Sequence, residues 1–235
     1  MIRESGFTLI ELLIALTIAA MISMGTLFLF TTTLSSKDVV EEQSEHMAQL
    51  SRVIRVIEQD FIQLSPYRAV RDAYGDYLPA IEMNFEGLYL TRNGWATSRF
   101  MSFERSTQQR VNYRIAEPGS DLCPMLEKDE DNDLGGCLIR SYLTQLDDDG
   151  SLAWQHQKLF RPVQKIDWQF LIYDPDSNSS EFKTEPPQED PRDGLLKTRL
   201  TAVRMSIELG TGQNYSRLFA TPALPGIKDE TGGVN

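Results

Sequence analysis

The chain has 235 residues, 41% apolar and 24% charged, a balance found in globular proteins and not in disordered ones. Its 34 acidic side chains outnumber 23 basic ones and leave a net charge of −11. No basic stripe is present that could neutralise a row of phosphates, so nucleic acid is excluded as a partner.

The N-terminal stretch is the most informative part of the chain. Met1 to Gly6 is short and polar, and from Phe7 to Ser36 the only charged residue is Glu11. Thirty residues at ~1.5 Å each give a rod of about 45 Å, enough to cross ~30 Å of hydrocarbon. A secretory signal removed whole would be shorter and would carry a small-x-small cleavage site after its apolar core. A plain anchor accounts for the length but not for Glu11, whose insertion costs ~2.5–3.5 kcal/mol. The run Gly6-Phe7-Thr8-Leu9-Ile10-Glu11 closely resembles the cleavage motif of type IV pilins and type II secretion pseudopilins. The resemblance implies that a membrane prepilin peptidase cuts after Gly6. It implies that Phe7 becomes the first mature residue, with a methylated amine, and Glu11 the fifth. The small Gly6 leaves the scissile peptide open. The amine of a neighbouring subunit would then neutralise Glu11 as helices pack, offsetting the desolvation of both charges.

After Lys37 the pattern becomes amphipathic. Val40, Gln43, Met47, Leu50, Ile54, Ile57, Phe61 and Leu64 recur at spacings of three and four, and Pro66 ends the run. The expectation is one continuous helix of about 58 residues, roughly 87 Å long, whose second half lays its stripe on the chain's own domain. A separate soluble helix or a coiled coil fits the same spacing.

The remainder reads as strands. Val111, Tyr113 and Ile115 alternate with Asn112 and Arg114; Ile166, Trp168, Phe170 and Ile172 alternate with Asp167 and Gln169; Val203 to Leu209 repeats the pattern. Period two with one polar side predicts strands buried on one face and paired antiparallel. Leu88 to Thr91 and Leu138 to Leu146 are further candidates. The predicted fold class is α+β, with a long N-terminal helix, transmembrane then amphipathic, packed on an antiparallel β-sheet. Two inserts, 117–136 and 174–194, are rich in acids, Gly, Pro and Ser, and are expected to be surface loops. With Asp147, Asp148 and Asp149 they carry the whole net charge.

Cys123 and Cys137 flank the first insert. An even count on an exported domain points to a disulfide, and closing a loop of about 15 residues is worth roughly 3 kcal/mol. Two unrelated buried thiols are the alternative. Asp129, Asp131 and Asp133 have part of a calcium-loop look, but the glycine is misplaced and the terminal Glu is missing, so the sequence assigns no metal. His46 and His156 lack ligand spacing, and no nucleophile, phosphate-loop or metalloprotease motif is present. No catalytic residue and no cofactor is therefore expected.

The globular part narrows the resemblance. Leu88 to Trp95, Gln109 to Arg114, Leu138 to Tyr142, Val163 to Phe170 and Leu200 to Met205 follow one another in an order similar to the type II secretion protein J (GspJ) family of minor pseudopilins. Glu58 to Gln63 also looks like that family's helix end. The acidic inserts and the cysteine pair are departures from it. The likeness implies a leader over residues 1–6, an assembly half of the helix over 7–36, an amphipathic half over 37–65, a periplasmic domain over 66–225 and a tail over 226–235. It implies residence in the bacterial inner membrane with a single pass. It also implies partners: minor pseudopilins of the I, K and H types, the major pseudopilin and the prepilin peptidase. The expected role is at the pseudopilus tip, in assembly and in export of folded proteins. A minor pilin of a type IV pilus is the alternative, and a membrane-anchored periplasmic enzyme or binding protein a more distant one.

Overall fold

The structure is a computed structural model and describes residues 8–65, 70, 71, 74, 75, 77–94, 107–125, 135–143, 146, 153–188 and 197–222. A single helix, α1, runs from Leu9 to Ile62. It is shared by two compact units that divide between Ser51 and Arg52.

In the first unit α1 is long and apolar enough to cross a bilayer. Its large side chains from Leu9 to Leu34 are exposed, as lipid-facing groups would be. The hydroxyls within the run do not break it. Thr17, Ser23, Thr26, Thr31, Thr32, Thr33, Ser35 and Ser36 each donate to a carbonyl three or four residues earlier. Every such proton is satisfied inside the helix, which is what a polar side chain needs in hydrocarbon.

The second unit holds the end of α1 and one antiparallel sheet. Its strands are β1 (Ile81–Asn84), β2 (Gly87–Arg92), β3 (Gln109–Ala116), β4 (Gly136–Tyr142), β5 (Gln155–Asp174), β6 (Ser179–Lys183), β7 (Arg199–Leu209) and β8 (Asn214–Ala220). The order is β1-β2-β3-β4-β5-β7-β8, with β6 paired to β5 beside that path. β5 joins the halves: its first part pairs with β4 and its second with β7. Leu88, Tyr113 and Arg140 lie in one row across β2, β3 and β4, and Phe170, Val203 and Phe219 in another across β5, β7 and β8. Val53, Ile57 and Phe61 of α1 and Leu64 beyond it are buried. Each large apolar side chain so buried contributes ~1.5–3 kcal/mol. Gly87 sits at φ +128°, and a Cβ there would overlap the Tyr113 carbonyl oxygen, so the tight β1–β2 turn requires glycine.

Several expectations need correction. In the helical stripe Val40 and Met47 are exposed and Ile54 is half-buried, while Val53 and Asp60 are buried. The core-facing arc is wider than a three-four seam, and it admits an aspartate because strand donors await it. β3 and β4 are buried on both faces, not one: Arg110, Asn112, Ile139 and Ser141 are all covered. The second insert is not a plain loop over its first part. Asp174 accepts hydrogen bonds from the Asp176 amide at 3.0 Å and the Ser177 hydroxyl at 3.0 Å, and Asn178 adopts φ 49°. This side-chain-braced turn folds β6 back onto β5. Residues 189–194 of that insert and 126–134 of the first lie outside the described residues.

Candidate functional site

Thr8 and Glu11 open α1 as a reciprocal cap. The Glu11 carboxylate accepts from the Thr8 amide at 3.1 Å and the Thr8 hydroxyl at 2.9 Å, and the Glu11 amide donates to the Thr8 hydroxyl oxygen at 3.4 Å. A threonine followed three places on by a glutamate is the sequence signature of this cap. The sequence reading weighed Glu11 only as a charge in the membrane and missed it. Gly6 and Phe7 lie outside the described residues, as do Asp129, Asp131 and Asp133.

At the other end of α1 is a buried polar cluster. The Asp60 carboxylate is fully buried. It accepts from the Tyr113 hydroxyl at 2.5 Å, from Arg140 Nε at 2.7 Å and Nη2 at 3.2 Å, and from Arg92 Nη1. Arg140 Nη2 also donates to Gln109 at 3.0 Å, and Arg92 Nη2 to Gln63. One helical carboxylate thus ties α1 to β2, β3 and β4. Its neighbour Phe61 stacks on Phe219 of β8 at 5.4 Å and meets Trp168 of β5 at 5.7 Å.

Burial raises the Tyr113 phenol well above its ordinary range, and the Asp60 charge pushes the same way against the opposing pull of Arg140. A proton held more tightly in the folded state supports the fold fully below the unfolded pKa of about 10 and loses that support as pH rises beyond it. Arg110, brought down to about 10 by burial against the pull of Glu82 and Tyr89, acts in the opposite sense over the same window. The tyrosine's share is expected as a fall in the urea midpoint that begins near pH 10. A Tyr113→Phe variant followed by tryptophan fluorescence from pH 7 to 11 should show a shallower fall than the parent.

The two cysteines are brought together. Cys123 and Cys137 are bonded, with Cα atoms 5.5 Å apart, and both are buried. With Ala116, Ile139 and Leu122 they form a small second core on the sheet face away from α1. Residues 117–125 are thereby stapled over β3 and β4. Reduction, or Cys123→Ala with Cys137→Ala, is expected to cost about 3 kcal/mol, read as a lower urea midpoint.

His156 is exposed, and its Nδ1 shares a 2.8 Å hydrogen bond with the Ser141 hydroxyl. Among the described residues no group of three or more His, Cys, Asp or Glu is placed to hold a metal.

Residues 29–221 match the family model described as Type II secretion system (T2SS), protein J, and residues 1–27 match the one described as Prokaryotic N-terminal methylation motif. The chain is similar to type II secretion system protein J of Klebsiella pneumoniae, with 29% identity over 136 residues, 57% of this chain and 67% of that protein. It is similar to the protein of the same name from Vibrio cholerae serotype O1, with 28% identity over 120 residues, 48% of this chain and 54% of that one. The alignments therefore span about two thirds and about half of those relatives. In the crystal structure of the GspK-GspI-GspJ complex from enterotoxigenic Escherichia coli, one chain superposes with a TM-score of 0.51 at 22% identity, covering 78% of this chain and 99% of that chain. That likeness shows a common fold.

Proposed function

This chain belongs to the type II secretion system protein J family, and from that premise we infer how it works. It is a minor pseudopilin of type II secretion, held in the inner membrane by a single pass with its globular part outside the bilayer. In our reading it sits at the pseudopilus tip and partners the I, K and H minor pseudopilins and the major pseudopilin. The support is that a protein J relative crystallised in a complex with GspK and GspI. Prepilin peptidase removes residues 1–6 by cutting after Gly6, and Phe7 then carries the methylated amine. Glu11 pairs with the amine of an adjoining subunit. The tip complex starts the pseudopilus, whose growth helps move folded proteins across the outer membrane.

The protein J family is one of structural filament subunits. The finer reading, that this chain catalyses nothing, rests on a sequence with two histidines and no nucleophile motif. The observation that carries the secretion reading is the family match over 29–221, because the N-terminal motif is shared with type IV pilins and cannot separate the two. Deleting the gene is expected to abolish export of secreted enzymes and leave twitching intact. Loss of twitching with normal export would replace the reading with a type IV pilus.

A further inference from the structure

Among the described residues three buried side-chain nitrogens have no hydrogen-bond partner, and two of them stand together: Asn112 Nδ2 and Arg114 Nε. They are two places apart on β3, hence on one face of the sheet, opposite to Tyr113 and α1. Asn112 is 3% exposed, and a donor so buried is nearly always paired. Its neighbours account for the burial. Tyr89, Asn112, Ser141 and His156 lie in one row across β2 to β5, and Arg114, Ile139 and Lys158 in the next. Asn112 and Ser141 are the short members among longer ones, so they form the floor of a hollow. Trp154, 6.0 Å from Tyr89 and edge-on to it, walls one side. Arg114 is half-buried and His156 and Lys158 are exposed, so the other side is open.

The charges say what fits. The nearby carboxylates are engaged, Glu82 with Arg110 at 3.4 Å and Glu86 with the Tyr89 hydroxyl. The Ser141 hydroxyl is shared with His156. Arg114 and Lys158 form no ion pair among the described residues, in a chain whose net charge is −11. An amide N–H beside a guanidinium offers donors and one positive charge. Its complement is a planar acceptor with one negative charge. Lys158 is two strands from Arg114, about 10 Å, too far to share one phosphate with it. We propose that this hollow binds a carboxylate group, which accepts from Asn112 Nδ2 and from the Arg114 guanidinium. The site does not depend on the secretion reading, since the bare chain suffices to test it.

The test uses the full chain, solubilised in detergent and labelled with 15N, titrated with acetate and separately with a blocked tripeptide carrying aspartate at its centre. The Asn112 side-chain amide, assigned by its loss in Asn112→Ala, is expected to shift saturably with either ligand and not with chloride at equal concentration. Arg114→Gln should weaken binding about tenfold or more, as loss of a hydrogen bond to a charged group does. Arg114→Lys, which keeps the charge and loses the fork, should fall between. Lys158→Gln should change it by no more than about threefold. Tighter binding of the peptide than of acetate assigns the carboxylate to a polypeptide, and the reverse order assigns it to a free acid; either upholds the site. No saturable shift with either ligand, an equal response to chloride, or affinity unchanged in both Arg114 variants overturns the proposal.

Discussion

Asp60→Leu is expected to destabilise the sheet unit by about 3–5 kcal/mol, the cost of breaking a buried ion pair by removing one partner. Arg140 and Arg92 would keep their charges in a covered site, and the Tyr113 hydroxyl would lose its acceptor. A domain's whole stability is about 5–15 kcal/mol, so the variant should be partly unfolded at growth temperature. Urea unfolding of the detergent-solubilised chain, followed by tryptophan fluorescence, measures it. Asp60→Asn should lose less, since the amide keeps an oxygen to accept with. The instructive comparison is Asp60→Leu combined with Arg92→Leu and Arg140→Leu. If the damage comes from stranded charge, the triple variant regains much of the lost stability. If the triple variant is as unstable as the single one, the clasp is not the source.

Gly6→Leu and Glu11→Leu are expected to stop the system at two successive steps. A branched side chain before the scissile bond should block cleavage, leaving a precursor that migrates more slowly and still begins at Met1. Glu11→Leu should be cleaved normally, because the peptide cut lies five residues away, but it should fail to assemble. Export should then fall to the level of a deletion strain. The cap geometry adds a complication: Glu11 also holds the Thr8 amide and hydroxyl, and losing such a cap costs about 1 kcal/mol of helix stability. Glu11→Gln separates the two effects, since the amide can still accept from Thr8 but offers no charge to an incoming amine. If Gln supports export as well as Glu, capping is what matters; if Gln fails like Leu, the charge is. Normal export by both Gly6→Leu and Glu11→Leu would refute the processing scheme.

The parts of the fold legible in the sequence were those with a strong period. The apolar rod, Leu88 to Thr91 in β2, and the alternating stretches of β3, β5 and β7 all lie where the pattern put them. β1, β6, β8 and the first half of β5 were not read, for physical reasons. β1 and β6 are four and five residues long, too short for alternation to stand out. The pattern of β8 is weak because its residues other than Phe219 are largely exposed. The first half of β5 carries Gln155, His156, Gln157 and Lys158, whose side chains are exposed on both sides. The Asp60 cluster left a clue that went unused. Arg140 stands between Leu138 and Tyr142 on the inward row of β4, and a cation at such a position requires a counter-charge facing it. The burial of Asn112 and Ser141 left none, since each is a small polar residue on the side of an alternating strand that ordinarily faces water.

Asp60 and Phe61 are adjacent in sequence yet engage different halves of the strand order, one through β2 to β4 and the other through β5 and β8. Such a joint is keyed like a shaft in a slotted hub. A small rotation of the helix end would pull the carboxylate from its guanidinium seats and drive the ring into its neighbours at once, so twist cannot slip. Torque or tension delivered at this end of the rod must therefore be carried by the sheet as a whole.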